Sequence, residues 1–433
     1  MKIVITNGRL VNPSTNIDTL ADIFIADGKF IAICKKNRDG TTDKMPGGFA
    51  ADKKIDASGK LVFPGIVDLS VRLREPGFEY KATIASETAA AASAGVTTVC
   101  CPPDSVPIVD NPTVVEMIYH RASLANKARV VSVGALTQKL EGEKISEMMA
   151  LKNAGVVGVG NALKPVENTL VMRRAMEYAA SCDMTVFIFS EDHWLRADGC
   201  ANESAVSTRM GLTGIPEIAE TIAVARDLAL IEHTGVKAHF CRLSSVKAER
   251  MIARAQFDGL PVTADVSAHQ LHLTDMDIGE FDARYHVHPP LRSMRDRDGL
   301  RKGLKLRTVN AICSDHQPHD MDAKIGPFST TESGISAVET LLPLTMRLVE
   351  SGDLSLMEAI ACITFEPARI LGLPVGRIEQ DCIADVCIYD PEEIWQLNDN
   401  TMLSAGLNTP FKGWEFEGRV THTILNGQLV FER

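Results

Sequence analysis

Two stretches of this 433-residue chain bring together side chains that could do chemistry. One is Ser314-Asp315-His316-Gln317-Pro318-His319, a compact Asp-His-x-x-His run whose carboxylate and imidazoles could offer lone pairs to a metal ion. The other runs from Leu61 to Gly77 and alternates from Val67 to Leu73. Leu69, Val71 and Leu73 then point into packing, while Asp68, Ser70, Arg72 and Arg74 share the opposite face. A face carrying a hydroxyl and two guanidinium groups is a site or the remnant of one. His269, His286 and His288 stand at further candidate strand ends. Arg74 could fork onto an acidic ligand or pair with Glu75 or Asp192. Glu191 and Asp192 read as a solvated loop rather than an acid/base pair. No Ser-His-Asp arrangement or phosphate loop is present to supply other chemistry.

The elements that must position these residues alternate. Helical Thr83–Ser93 precedes a strand over Thr97–Cys101, and helical Val114–Ala125 precedes a strand over Arg129–Val133. The cadence continues through strands at Val156–Val159, Thr185–Phe189, Lys237–Cys241, Val262–Val266 and Ala311–Ser314, with helices over Met172–Ser181, Glu217–Glu232 and Val246–Gln256. About eight strands with crossover helices predict a (β/α)8 barrel, whose site lies at the C-terminal strand ends. Short strands at both termini, with turns at Asn7-Gly8, Asp27-Gly28 and Asn426-Gly427, predict one small β-sandwich built from both ends. The expected division is 1–60 and 371–433 for the sandwich and 61–370 for the barrel. Lys35–Lys54, rich in Lys, Asp, Gly and Thr, reads as a mobile loop.

The Leu61–Gly77 stretch resembles the first barrel strand of the dihydroorotases of the amidohydrolase superfamily, Pro-Gly-x-x-Asp-x-His-x-His-x-Arg-x-Pro-Gly. Pro64, Gly65, Asp68, Arg74, Pro76 and Gly77 match, but Ser70 and Arg72 replace the two metal-binding histidines. The resemblance implies a binuclear zinc centre completed near strand four, after strands five and six, and after strand eight. At those positions stand Asn161, Phe189, Arg242 and Asp315, so five of the six ligand positions are changed. Arg74 matches the family's carboxylate-gripping arginine, whereas Asp104 and His288 replace two asparagines of its substrate site. An aspartate at position 104 would repel an anionic substrate. The return segment Ile378–Pro391 and the tail Asn408–Gly427 resemble the family frame as well, so the likeness covers nearly the whole chain.

The net charge of -11 argues against a nucleic-acid partner. There is no long apolar run and no signal-like leader, so no membrane association and a cytoplasmic location are expected. The ten cysteines have neither knuckle nor disulfide spacing, and most should be small buried hydrophobes. Three readings follow. The first is a non-catalytic, oligomeric dihydroorotase-like protein of pyrimidine biosynthesis, which by resemblance scaffolds the aspartate carbamoyltransferase catalytic chain and needs no cofactor. The second is a cyclic-amide hydrolase with zinc at a rebuilt Asp315/His319 site, and the third is a sensor that grips an anionic pyrimidine precursor through Arg74; Asp104, His288 and His319 are further candidate ligand-binding positions. Under the first, Asp315 is vestigial as a ligand, and Arg72 or Arg242 should pair with it in place of a metal.

Overall fold

The computed structural model describes residues 1–36 and 46–433. Eight parallel strands follow one another in chain order around a barrel: Ile66–Asp68, Val96–Cys101, Arg129–Ala135, Gly158–Gly160, Val186–Ile188, Ala238–Phe240, Val262–Ser267 and Ala311–Cys313. Alternation along each strand divides its side chains between two layers. In the second strand Cys100 joins Val67, Val131, Val133 and Phe187 inside the barrel, while Val99 packs in the cluster shared with the helices. The first and eighth strands share no ladder. The ring closes just beyond them, where Val71 and His316 form a parallel bridge: Arg72 N donates to His316 O at 2.9 Å and His316 N to Ser70 O at 3.0 Å. Closure therefore falls on residues flanking Asp315.

The crossover helices begin where the sequence offers a cap. Thr83 and Ser86 form a capping box for Ile84–Ser93, Asn111 caps Pro112–Ala125, Ser245 caps Val246–Phe257 and Ser293 caps Met294–Lys305. The 18-residue helix Glu217–Thr234 stops at Gly235, whose φ of 67° suits a residue without a Cβ. No described helix is long and apolar enough to cross a membrane, and eight of the ten cysteines are buried.

The termini build a flanking eight-stranded sheet that wraps a core including Ile3, Ile5, Ile25, Phe30 and Val386. Its hairpins turn at Asp27-Gly28 and Asn426-Gly427, as the dipeptides predict. Three details depart from the sequence reading. Asn7-Gly8 is not a hairpin turn: one strand, Ile3–Asn12, runs through it with a register shift between Ile5 and Gly8. Asn7 is left-handed there, with its amide donating to Asp22 Oδ1 at 2.8 Å. The expected loop Lys35–Lys54 falls partly outside the described residues, but Lys35 ends a strand and Lys53–Asp56 pairs in parallel with Ile3–Thr6. Finally, Leu61–Gly77 is not one strand. Leu61–Pro64 belongs to the flanking sheet and Ile66–Asp68 to the barrel, and the chain changes sheets at Gly65.

Candidate functional site

Asp315 follows the eighth strand and is the centre of the barrel mouth, with 1 % of its surface exposed. Its Oδ1 accepts from Arg72 Nη1 and Arg242 Nη1, each at 3.3 Å, and from Ser70 Oγ at 3.1 Å, while Oδ2 accepts from Gln317 Nε2 at 3.1 Å. Arg242 Nη1 also donates to Ser70 Oγ at 3.0 Å. Strands one, six and eight are thus tied by charge-assisted bonds at the point where the ring closes. Burial alone would raise the Asp315 carboxyl, but Arg242 and then Arg72 outweigh it and hold the group below the ordinary carboxylate range. Burial disfavours charged Arg242 as well, but Asp315, helped by neighbours including Asp265, holds it protonated.

Two of the five replaced positions on strands one, four, five and six thus bring guanidinium groups onto one carboxylate, and Ser70 bridges them. Phe189 places its ring 5.2 Å from the Arg242 guanidinium, covering it from the strand-five side. Asn161 faces elsewhere: its Oδ1 accepts from Thr137 N and Oγ1, at 3.2 and 3.0 Å. Backbone geometry marks the same spot, since Arg74, Arg242 and Asp315 all take φ between 49° and 62°, a conformation costly for residues bearing a Cβ.

The substrate-type positions are engaged too. Asp104 accepts from Arg72 Nε at 2.8 Å, so its charge is taken by that arginine rather than presented to an incoming anion. Arg74 pairs with neither Glu75 nor Asp192; it donates to Pro318 O at 2.8 Å and lies 3.0 Å from His319 Nε2. Glu75 turns to Arg121 at 2.6 Å, and Asp192 caps the short helix after strand five. Glu191 is buried rather than solvated, 3.2 Å from His288 Nε2 and 3.5 Å from Arg196 Nε. Burial, reinforced by Arg74 and Lys81, drives His319 down to about 2, and burial with Arg72 lowers Arg74 to about 10.

The Asp-His-x-x-His run does not converge. Asp315 faces the arginines. Buried His316 joins Glu87 at 2.7 Å and accepts at Nδ1 from Ala337 N and Val338 N, tying the strand-eight loop to the helix Ile84–Ser93. His319 sits between Arg74 and Lys81. Of the other imidazoles, His286 binds Thr331 Oγ1 at 2.9 Å, and His269 is fully enclosed with both ring nitrogens unpartnered. Among the described residues, one trio of ligand-type side chains has ligand atoms within 4.8 Å: His239, Cys241 and Asp265. Two of its members are already bonded to each other and to neighbours, His239 to Asp265 and Thr263 at 2.8 Å each, and Asp265 to Arg242 N at 2.7 Å. A binuclear zinc centre does not fit the donor set at the mouth, where hydroxyl, amide, phenyl and two guanidinium groups stand at five positions and the remaining carboxylate is spoken for.

Space at the mouth is scarce. Three voids bordered by these residues have volumes of about 10, 20 and 30 Å³, the last between Ser70, Phe189, Cys241, Arg242 and Asp265. Each is of the size of a water molecule, against roughly 300 Å³ or more for a small-molecule pocket.

Sequence reasoning named Ser70 only as a replaced ligand position and Gln317 only within the Asp-His-x-x-His run, and missed both as supports of Asp315. It also missed Arg292, buried behind the mouth, which donates to Ser244 Oγ, Asn202 Oδ1 and Ile215 O at 2.7–3.1 Å. Its signal is the Pro-Pro-Leu-Arg turn at Pro289–Arg292.

An eight-stranded parallel barrel with its mouth at the strand ends and a flanking sheet from both termini defines the amidohydrolase type of fold. The L-hydantoinase (dihydropyrimidinase) of Arthrobacter aurescens has this fold, with a TM-score of 0.87 at 23% identity over 99% of this chain and 96% of that one. A D-hydantoinase (dihydropyrimidinase) from Thermus sp. gives 0.84 at 20% identity, covering 99% and 95%. A family profile described as dihydro-orotase-like matches residues 59–248, and one described as an amidohydrolase family matches 325–431. Dihydroorotase-like proteins of Pseudomonas putida and Pseudomonas aeruginosa are each 44% identical, over 99% of both chains and 100% of both chains respectively. A dihydroorotase of Syntrophotalea carbinolica is 42% identical over 100% of this chain and 99% of its own. The chain belongs to the dihydroorotase-like family of the amidohydrolase superfamily.

Proposed function

We propose that this chain is a non-catalytic member of its family, which serves pyrimidine biosynthesis as a structural subunit for the aspartate carbamoyltransferase catalytic chain. The observation that carries the loss of catalysis is the Arg72–Asp315–Arg242 cluster: two permanent cations occupy the acidic ligand that strand eight retains. Hydrolysis of a cyclic amide in this family style needs a metal-activated hydroxide, and without it the nucleophile itself is missing. The filled mouth supports the same reading, since a ring-sized substrate would have to displace Phe189 or an arginine. The hydrolase reading is weaker because Asp315 and His319 engage different partners. The partnership rests on the family resemblance and on the retention of a complete fold around a closed mouth.

Two measurements test this. Purified protein supplied with zinc should show neither dihydroorotate hydrolysis nor N-carbamoyl-aspartate cyclisation, and restoring Ser70→His with Arg72→His should leave it inert because three further ligand positions stay changed. Zinc-dependent turnover that persists after host dihydroorotase is removed would overturn the proposal. Co-expression with the transferase chain should give one large assembly on size exclusion, and two independent peaks would contradict the partnership.

A second reading draws on one observation: Arg74 touches only uncharged partners, the Pro318 carbonyl and the His319 ring, while nearby Lys81 is paired with Glu332. A guanidinium without a carboxylate partner would suit a sensor of an anionic pyrimidine precursor. Titration calorimetry with N-carbamoyl-aspartate decides it, binding abolished by Arg74→Gln being the supporting result and no heat from the unsubstituted protein the opposing one.

A further inference from the structure

At the end of the barrel opposite the mouth lies a cavity of about 490 Å³. It sits between the segment that leads into strand eight, the helices Leu356–Ile363 and Phe365–Ile370, and the turn Pro13–Asn16 of the flanking sheet. Asn310 fixes the edge of this space: it exchanges backbone and side-chain bonds with Ala264 at 2.8 and 3.0 Å and donates to Arg307 O at 3.2 Å. The walls are Leu304, Val309, Met357, Ala361 and Phe365, an apolar lining with an aromatic face. A volume in this range, set at the junction of two structural units and lined mainly by apolar side chains, is that of a small-molecule site.

The charges on the rim specify the ligand. Glu366 is neutralised by Arg369, which reaches it at 2.7 and 2.9 Å. The Glu358 carboxylate is bound to the amide and hydroxyl of Ser355, at 2.9 and 2.7 Å, as the reciprocal half of a capping box. Arg307 is exposed, lines the same cavity and forms no ion pair within 4.0 Å with a described residue, although its charge helps hold Glu358 ionised; its guanidinium keeps five N–H donors for a ligand.

We propose that this cavity is a binding site for a small amphipathic organic anion, with a flat apolar body of about two rings against Met357, Ala361 and Phe365 and one acidic group on Arg307. The arginine can hold a carboxylate, sulfonate or phosphate through paired donors. The site lies beyond the N-terminal end of strand eight, whereas Asp315 lies beyond the C-terminal end, so ligand and mouth do not compete for space. Nothing in the proposal depends on whether the mouth is catalytic or which chain it assembles with.

8-Anilinonaphthalene-1-sulfonate, two ring systems and one sulfonate, is the probe. Titration into the full-length folded chain, followed by fluorescence, should give one saturable site. Arg307→Glu, a surface change, should weaken binding by about tenfold or more. Ala361→Trp should abolish it by filling the space. Arg74→Gln, at the other end of the barrel, should leave it unaltered. Far-ultraviolet circular dichroism confirms that each variant is folded, and Arg307→Glu alone decides if Ala361→Trp is not. Binding unchanged in Arg307→Glu, binding lost in Arg74→Gln instead, or no saturable site at all would overturn the proposal.

Discussion

Asp315 keeps its charge in a place where burial alone would neutralise it, because Arg242 and Arg72 supply the compensation a cation would otherwise give. Such a triad adds little net stability over an apolar filling, but removing one partner leaves the others buried and uncompensated. Arg242→Ala should therefore cost about 3–5 kcal/mol in urea unfolding at neutral pH. A loss under about 1 kcal/mol, the scale of an exposed pair, would show that the cluster is not the support inferred here. The carboxyl's folded pKa is depressed, so its contribution is complete above the unfolded value of about 3.9 and is lost as pH falls through the folded value. The difference between Arg242→Ala and the unsubstituted chain should accordingly shrink in acid. His269 gives a second test at this scale. Enclosure, only partly offset by Asp315, lowers it to about 4. A base held neutral in this way stabilises fully above its unfolded pKa of about 6.5 and loses that contribution as pH falls toward 4. Between pH 7.5 and 5 the unsubstituted chain should lose about 2 kcal/mol more than His269→Leu; equal losses would place an unseen partner on the ring. Much of this residue-scale picture was legible in advance. Ser70, Arg72, Arg242 and Asp315 sit at aligned strand ends, and a buried carboxylate facing two arginines has one outcome. What sequence could not supply was who else takes part: Glu191 with His288, Glu87 with His316 and Arg74 with His319 are paired across 97, 229 and 245 positions, and no local pattern encodes such matches.

At the scale of elements, alternation gave the predicted helices and strands to within a few residues, and the structure adds caps at Thr83, Asn111 and Ser245; the helix Met294–Lys305 behind Ser293 escaped prediction because its run is charged rather than apolar. The misreadings come from residues with two uses. Asn7-Gly8 has the signature of a hairpin turn, yet a left-handed Asn also serves a bulge within a strand. Pro64-Gly65 is where one continuous β-rich stretch leaves the flanking sheet for the barrel. A Cβ at Gly65 would come within 2.2 Å of Thr97 Oγ1 and 2.8 Å of its Cβ, so the second barrel strand passes where only hydrogen fits. Gly65→Ala should destabilise by about 1–3 kcal/mol through overpacking. Unchanged unfolding of that variant would mean that the crossing between sheets is looser than the geometry gives.

For the whole molecule, the order of the eight barrel strands and the convergence of the termini followed from cadence and turn chemistry, whereas the closed state of the mouth did not. Whether a site is open depends on where Phe189, Arg72 and Arg242 come to rest, and that is a property of packing among distant segments. A fold kept complete around a mouth bordered by voids of water size is in keeping with the non-catalytic role we propose. The claim that two arginines stand in for the metals is tested most directly by the metal content of the native protein. Inductively coupled plasma mass spectrometry after purification and dialysis without chelator should find only substoichiometric zinc. One or more zinc ions retained per chain would contradict the account.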